Sequence, residues 1–544
     1  MRTYNELRTS IADPHQWTLP NVLRQQAARR PDSVYLDVPE EARTWTYRQI
    51  LTSAEAVAGA LLDSGAAAGD HVLMMMRNSS ELMRTWFGVG VGGMVEVPIN
   101  TGYEFEFLAH QIRTAKPVTA VIDDVFAQRF VAIKESCDTI KRYWVVDSGE
   151  RESALRLLRD AGWIAEPWED LETGRDVGLP EVGARDLAAI FFTSGTTGPS
   201  KGVAMPHAQF YFNACQCVSL TRLTADDTYM AVTPLFHGNA QWLAAYPALV
   251  AGARFVLRRK FSASRWIDHV RESGVTVTNF LGVMMDFVWK QPQRPDDGDN
   301  DLRCIFAAPT ASSILADFRR RFGVEAFVEV FGLTETSMPI MSPYGEDRPA
   351  GAAGLLASDW FDIQLADPET DEEVPVGEVG ELLVRSRQPW TLSMGYYGMP
   401  EKTVEAWRNL WFHTGDALRR DEEGWYYFVD RYKDALRRRG ENISSYEVEQ
   451  AILSHPSVLE CAVIGVPAGI EAGEDEVMAC IVRKDPNLEP GDVVKWCVDN
   501  VPPFAVPRFV RFVSELPKTP SEKVRKAVLR ADGVTADSYD SQAQ

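Results

Sequence analysis

Cysteine and histidine are scarce in this chain, with seven and eight among 544 residues. Cys137, Cys215, Cys217, Cys304, Cys461, Cys480 and Cys497 are odd in number and show no C-x-x-C or metal-ligand spacing. That argues against a disulfide framework or a zinc site and suits a reducing compartment with thiols buried as small apolar groups. Long apolar runs are also missing. The longest, 242–257, holds Pro247 and Arg254 and is too short to span a bilayer. Positive charge is in deficit, with 56 Lys and Arg against 77 Asp and Glu, a net charge of −21. A chain this acidic repels polyanions, so a nucleic-acid partner is not expected, and an anionic ligand needs Lys and Arg gathered locally. Residues 1–17 carry no apolar core and no signal cleavage pattern, and the expectation is a cytoplasmic protein without a membrane partner.

What is present begins with length. A chain of 544 residues exceeds one compact core and predicts at least two domains. Residues 47–64 place Ile50, Leu51, Ala54, Val57 and Leu61 at helical spacing. Short β-rich runs at 71–76, 95–99 and 118–122 alternate with helical patterns from Glu81 and Glu104, which predicts an α/β layered domain with parallel or mixed sheets. Near 430 the composition shifts. The basic run 431–439 reads as helix-like, and beyond it a smaller α+β pattern extends to about 530. The tail 531–544 is polar and reads as disordered. Gly88, Gly90 and Gly93 form G-x-G-x-x-G, but after a helical run and before a strand, the inverse of a dinucleotide fold. Close packing at a helix-to-strand turn is the reading that fits.

The strongest chemical signal is the apolar run 190–192 leading into Thr193, Ser194, Gly195, Thr196, Thr197, Gly198, Pro199, Ser200 and Lys201. Glycines let backbone approach a phosphate, hydroxyls donate to its oxygens, and Lys201 supplies a point charge. Ser200 stands where a Walker A loop has Gly, which disfavours a P-loop enzyme.

This segment resembles the phosphate loop of the adenylate-forming superfamily that contains acyl- and aryl-CoA synthetases, peptide-synthetase adenylation domains and luciferases. Further motifs follow in the family's order across roughly 30–530. The resemblance implies a large domain over 1–432 holding ATP and the acyl pocket, and a mobile small domain over 433–530 joined at Lys433. Ala307, Ala308 and Pro309 resemble the strand and turn lining adenine, with alanines for the usual glycines. Phe331, Gly332, Thr334 and Glu335 resemble the adenine and metal segment, with Phe331 for the common Tyr. An aromatic stacks on adenine, and Glu335 is a hard donor suited to Mg²⁺. Asp416 resembles the ribose carboxylate and Arg431 the nucleotide-contacting arginine; the residue before it, usually Gly, is Asp430. Lys523 matches the C-terminal catalytic lysine, with Glu522 where Gly is usual. The resemblance makes Lys523, Thr193, Glu335 and His237 the expected catalytic set.

The acyl pocket implied by the family involves His237, Asn239, Gln241, Phe280, Gly282 and Met338. Asn239 and Gln241 hint at a polar acid, or else cap a helix or serve the core. Arg437, Arg438, Arg439, Gly440 and Glu441 fall where the family holds coenzyme A. Gly440 matches the glycine that lets the pantetheine thiol pass, and the stretch from Arg439 is similar to that of bacterial crotonobetaine/carnitine-CoA ligases. The implied activity is adenylation of a carboxylic acid with ATP and Mg²⁺, then transfer to coenzyme A. The alternatives are a carrier-protein thiol or amine as acceptor, or activation of another oxyanion. The partners expected are these small molecules, with a homodimer left open.

Overall fold

The computed structural model describes residues 2–174, 177–193, 200–308, 310, 314–431, 436–438, 441–443, 445–467, 475–501, 503–518 and 523–542. Among them are three seven-stranded sheets, a two-stranded ribbon and a four-stranded sheet. The first sheet runs Ala326–Val328, Cys304–Ala308, Val277–Leu281, Thr228–Ala231, Arg254–Leu257, Val34–Val38, Arg43–Thr46, parallel except for the last pair. The second runs Ile164–Pro167, Arg142–Val146, Thr119–Asp123, His71–Met75, Val95–Pro98, Leu187–Thr193, Lys201–Pro206, again parallel except for the last pair. Their strands read as near-continuous apolar runs because helices cover both faces. The third sheet, spanning Val330–Leu333 to Trp425–Arg431, is antiparallel throughout.

Helices Tyr47–Asp63 and Ser80–Val91 pack together, and a Cβ on Gly88 would meet Val57 Cγ1 at 2.4 Å. The glycine triplet is thus a packing device, as its inverted order suggests. His207 opens helix His207–Thr221, and neither of its ring nitrogens has a hydrogen-bond partner among the described residues. Burial pushes its imidazolium down to about 4. The unfolded chain therefore binds this proton first, and stability drains as pH falls from about 6.5 to about 4. His207→Met is expected to remove about 2–3 kcal/mol of the loss between pH 7 and 4.5. Parallel melting-versus-pH curves for the two proteins would refute this.

The small unit pairs Val458–Pro467 with Asp475–Arg483, then Phe509–Phe512, then Tyr539–Asp540. Two expectations are corrected here. The tail is ordered over its described residues, 531–542: Tyr539–Asp540 closes the sheet edge and Asp540 pairs with Arg508 at 3.0 Å. The described part of the basic run beyond Arg431 is not helical: Leu436–Arg438 is a strand against Glu441–Ile443, because successive arginines offer no apolar stripe for a helix to bury. No helix among the described residues is long and apolar enough to cross a membrane.

Candidate active site

The hydroxyl-rich loop joins two antiparallel strands. Thr193 and Lys201 are register partners at its base, and Thr193 Oγ1 donates to Lys201 O at 3.4 Å. Ser194, Gly195, Thr196, Thr197, Gly198 and Pro199 lie outside the described residues. A strand–loop–strand path departs from the strand–loop–helix of a P-loop.

Strand Lys201–Pro206 has a second neighbour. Tyr397 N donates to Gly202 O at 2.7 Å, Met394 N to Ala204 O at 2.8 Å, and Ala204 N to Gly395 O at 2.9 Å. This pairing lays Tyr396 beside Lys201, whose Nζ sits 4.1 Å from the ring centroid. The Tyr396 hydroxyl donates to Glu335 Oε1 at 3.0 Å. A cation, a π face and a carboxylate from three distant segments are thereby aligned, an attraction that is strengthened by desolvation. Sequence reasoning missed Tyr396. Its only local signal is Gly395, at φ 108, where an added Cβ would meet Thr403 Cγ2 at 2.5 Å.

Glu335 and Thr334 are braced by backbone. Ser393 N donates to Glu335 O at 3.0 Å, and Gln209 Nε2 to Thr334 O at 2.8 Å. Gln216, two turns further along the same helix, donates to Met338 O at 2.6 Å and accepts from Met338 N. Gly332 is obligatory here, since a Cβ would fall 2.1 Å from Ser337 O. Phe331 is half-buried, with its ring 6.0 Å from Phe428 and nearly parallel to it. On the neighbouring edge Ala307 is buried and Ala308 half-buried, while Pro309 lies outside the described residues. Thr310 N donates to Glu329 Oε2 at 3.1 Å, and Arg348 joins Glu329 at 2.5 Å and Thr310 Oγ1 at 2.7 Å. Burial raises the Glu329 carboxyl against the pull of Arg348. Neither Glu329 nor Arg348 was foreseen.

Asp416 is buried on strand Phe412–Arg420, opposite Arg431, for which the backbone alone is described. Glu381 holds the preceding turn, accepting from Gly415 N at 2.9 Å and contacting His413 Nδ1 at 3.1 Å. Gly415, at φ 71, supplies the left-handed backbone that the turn requires.

His237 caps the short helix Gly238–Ala240. Its imidazolium is pushed down to about 4, first by burial and then by the charge of Lys523. His237 is therefore neutral at pH 7. Asn239 and Gln241 are engaged within the protein. Asn239 Oδ1 accepts from Thr233 Oγ1 at 2.9 Å and Asn279 Nδ2 at 3.0 Å, and Gln241 Nε2 donates to Glu96 Oε2 at 2.9 Å. Burial lifts the Glu96 carboxyl well above the usual range. Met338 is buried, and Gly282 opens helix Gly282–Trp289. The Phe280 ring is fully buried, 5.1 Å from Trp266 and on the face opposite Asn279. Side chains alternate along a strand, so Asn279 and Phe280 cannot share a face. The indole of Trp242 instead covers Gly238, where an added Cβ would fall 2.1 Å from Cε2 and Cζ2. Lys433, Arg439 and Gly440 lie outside the described residues, and of Arg437, Arg438 and Glu441 the backbone alone is described.

Residues 23–397 match the family described as AMP-binding enzyme, and residues 447–523 match its C-terminal domain. The chain is 30% identical over 495 residues to a crotonobetaine/carnitine–CoA ligase of Salmonella agona (strain SL483), covering 90% of this chain and 93% of that one. Its fold is similar to ATP-bound MatB from Rhodopseudomonas palustris, with TM-score 0.79, 26% identity and coverage of 94% and 98%. It is also similar in fold to the anthranilate CoA ligase AuaEII in complex with anthranoyl-AMP, with TM-score 0.84, 24% identity and coverage of 95% and 98%. The chain belongs to the AMP-binding enzyme family, among its adenylate-forming acyl-CoA ligases.

Proposed function

We propose that the residues gathered here catalyse acid activation in one arrangement, and that the small domain, turning about Lys433, then admits coenzyme A. The carrying observation is the alignment of Lys201, Tyr396 and Glu335, a cation and a carboxylate fixed at the base of the hydroxyl-rich loop, with the charge of Lys523 felt at His237. A carboxylate and a triphosphate repel, and cations held at the site offset that repulsion before reaction begins. One carboxylate oxygen bonds the α-phosphorus, the bond to the bridging oxygen breaks, and pyrophosphate leaves. The thiol sulfur of coenzyme A then bonds the acyl carbon and AMP departs. Neutral His237 contributes no further charge beside the acid.

Glu335 fits a divalent cation by donor type, being a nearly buried carboxylate whose Oε1 already takes one hydrogen bond and whose second oxygen is free of any requirement to pair with Tyr396. Mg²⁺ held there would neutralise phosphate charge. Asp416 would accept from the ribose hydroxyls, Phe331 would stack on adenine, and Arg437, Arg438, Arg439, Gly440 and Glu441 would receive coenzyme A. With Asn239 Oδ1 and Gln241 Nε2 engaged inside the protein, the acid's tail would meet Trp242 and Met338, which suits a compact acid.

Two measurements test this. A panel holding crotonobetaine, carnitine, malonate, benzoate and anthranilate, screened by ATP–pyrophosphate exchange, should give exchange with at least one compact acid and AMP release only when coenzyme A is added. No exchange with any acid would end the proposal. Tyr396→Phe keeps the ring over Lys201 but removes the hydroxyl from Glu335, and should lower exchange about tenfold. Tyr396→Ala should cost more. Equal losses in the two variants would mean that the ring contributes nothing beyond the hydroxyl, and no loss in Tyr396→Phe would mean that the hydroxyl contributes nothing.

A further inference from the structure

The small unit meets the large one through a buried polar chain that the activity does not itself require. Asp430 lies on strand Trp425–Arg431 and is 4% exposed. Its Oδ2 accepts from Ser445 N at 2.7 Å and from Ser445 Oγ at 2.6 Å. Ser445 is fully buried and is the first residue of helix Ser445–Leu453, so the carboxylate meets the positive end of that helix. Lys526 Nζ in turn donates to Ser445 Oγ at 2.5 Å and pairs with Glu449 Oε1 at 2.8 Å. Glu449 Oε1 is fixed by Val463 N at 2.7 Å. Cation, hydroxyl and carboxylate thus form one directed relay across the boundary between the units, and charge-assisted bonds of this kind are among the stronger ones. Beside it Tyr446 sets its ring edge-on to Phe428 at 5.8 Å.

Lys526 lies three residues beyond Lys523. The near side of that stretch is fixed as well: Lys518 pairs with Glu460 at 2.6 Å, and Arg525 N donates to Pro517 O at 2.7 Å. Lys523 is therefore held between an anchor inside the small unit and an anchor that ends on a carboxylate of the large one. We propose that Asp430, Ser445 and Lys526 are positioning residues that latch the small domain in the adenylating arrangement and release it for the second half-reaction. This rests on Lys523 acting in adenylation. Turning about Lys433 must break the relay, since Asp430 stays with the large sheet while Ser445 and Lys526 travel together.

The test separates the two half-reactions. Lys526→Met should lower ATP–pyrophosphate exchange about tenfold while thioester formation from supplied acyl-AMP holds or rises. Lys526→Arg should retain exchange, and Asp430→Asn should follow Lys526→Met. Ser445→Ala, which removes only a hydroxyl, carries the same test should Lys526→Met fold poorly. Equal loss in both half-reactions would show a merely structural role and overturn the latch. Lys523→Ala run alongside distinguishes the two layers. If it loses exchange while Lys526→Met and Ser445→Ala keep it, the latch alone falls. If Lys523→Ala keeps exchange, the reading beneath falls and the latch with it.

Discussion

Lys523→Ala is expected to cut ATP–pyrophosphate exchange about 10²–10³-fold, while thioester formation from supplied acyl-AMP stays within about twofold of the unaltered enzyme. The asymmetry follows from when charge is present. During activation a carboxylate approaches a polyphosphate, and under the proposed mechanism Lys523, whose charge already acts on His237, would offset that meeting of anions. A point charge so placed acts on the developing pentavalent phosphorus without reorganisation. Once pyrophosphate has gone, the acyl adenylate is far less anionic and the attacking group is a thiol, so the same lysine has nothing left to offset. Gly440→Trp should show the opposite pattern, because the obstruction falls on the thiol's path and not on the phosphate's. Equal loss in both half-reactions for Lys523→Ala would overturn the division of labour.

Glu335→Ala is expected to lower exchange about 10²-fold or more and to flatten its dependence on Mg²⁺ concentration. Two losses combine. The hard oxygen donor disappears, and Tyr396 loses the acceptor 3.0 Å from its hydroxyl, which frees the ring that lies under Lys201. Glu335→Gln keeps an acceptor for the hydroxyl but not the charge, so it separates these effects. It should hold Tyr396 in place and still show the weakened Mg²⁺ response. If Glu335→Gln titrates with Mg²⁺ like the unaltered enzyme, the carboxylate does not serve the metal and its role is confined to holding Tyr396.

Much of the site was legible because its pieces are local. The hydroxyl-rich stretch before Lys201, the turn at Gly332, and Asp416 beyond Gly415 each carry their chemistry within a few residues, and their strands have the apolar runs that a covered sheet demands. What escaped notice depends on partners far apart in the chain. Tyr396 means nothing until Lys201–Pro206 pairs with its segment, and Glu329 means nothing until Arg348 and Thr310 close on it. The side taken by Phe280 was not legible, because a stretch of strand, turn and helix does not reveal its parity until Asn279 is found bonding Asn239. The arginines after Leu436 looked helical because charge alone has no period, and only the ribbon with Glu441–Ile443 settled their geometry. The amides of Asn239 and Gln241 were ambiguous by sequence; a threonine and an asparagine engage the oxygen of the first, and a buried glutamate the nitrogen of the second.

Tyr539–Asp540 completes the outermost strand of the four-stranded sheet, and this matters to anyone handling the protein. Trimming the polar terminus, a routine step when a tail is taken for slack, would strip the partner from Phe509–Phe512 and leave Arg508 without Asp540. Bare ladder groups on that border would invite strangers to add strands, so a shortened version should clump where the intact one stays dispersed.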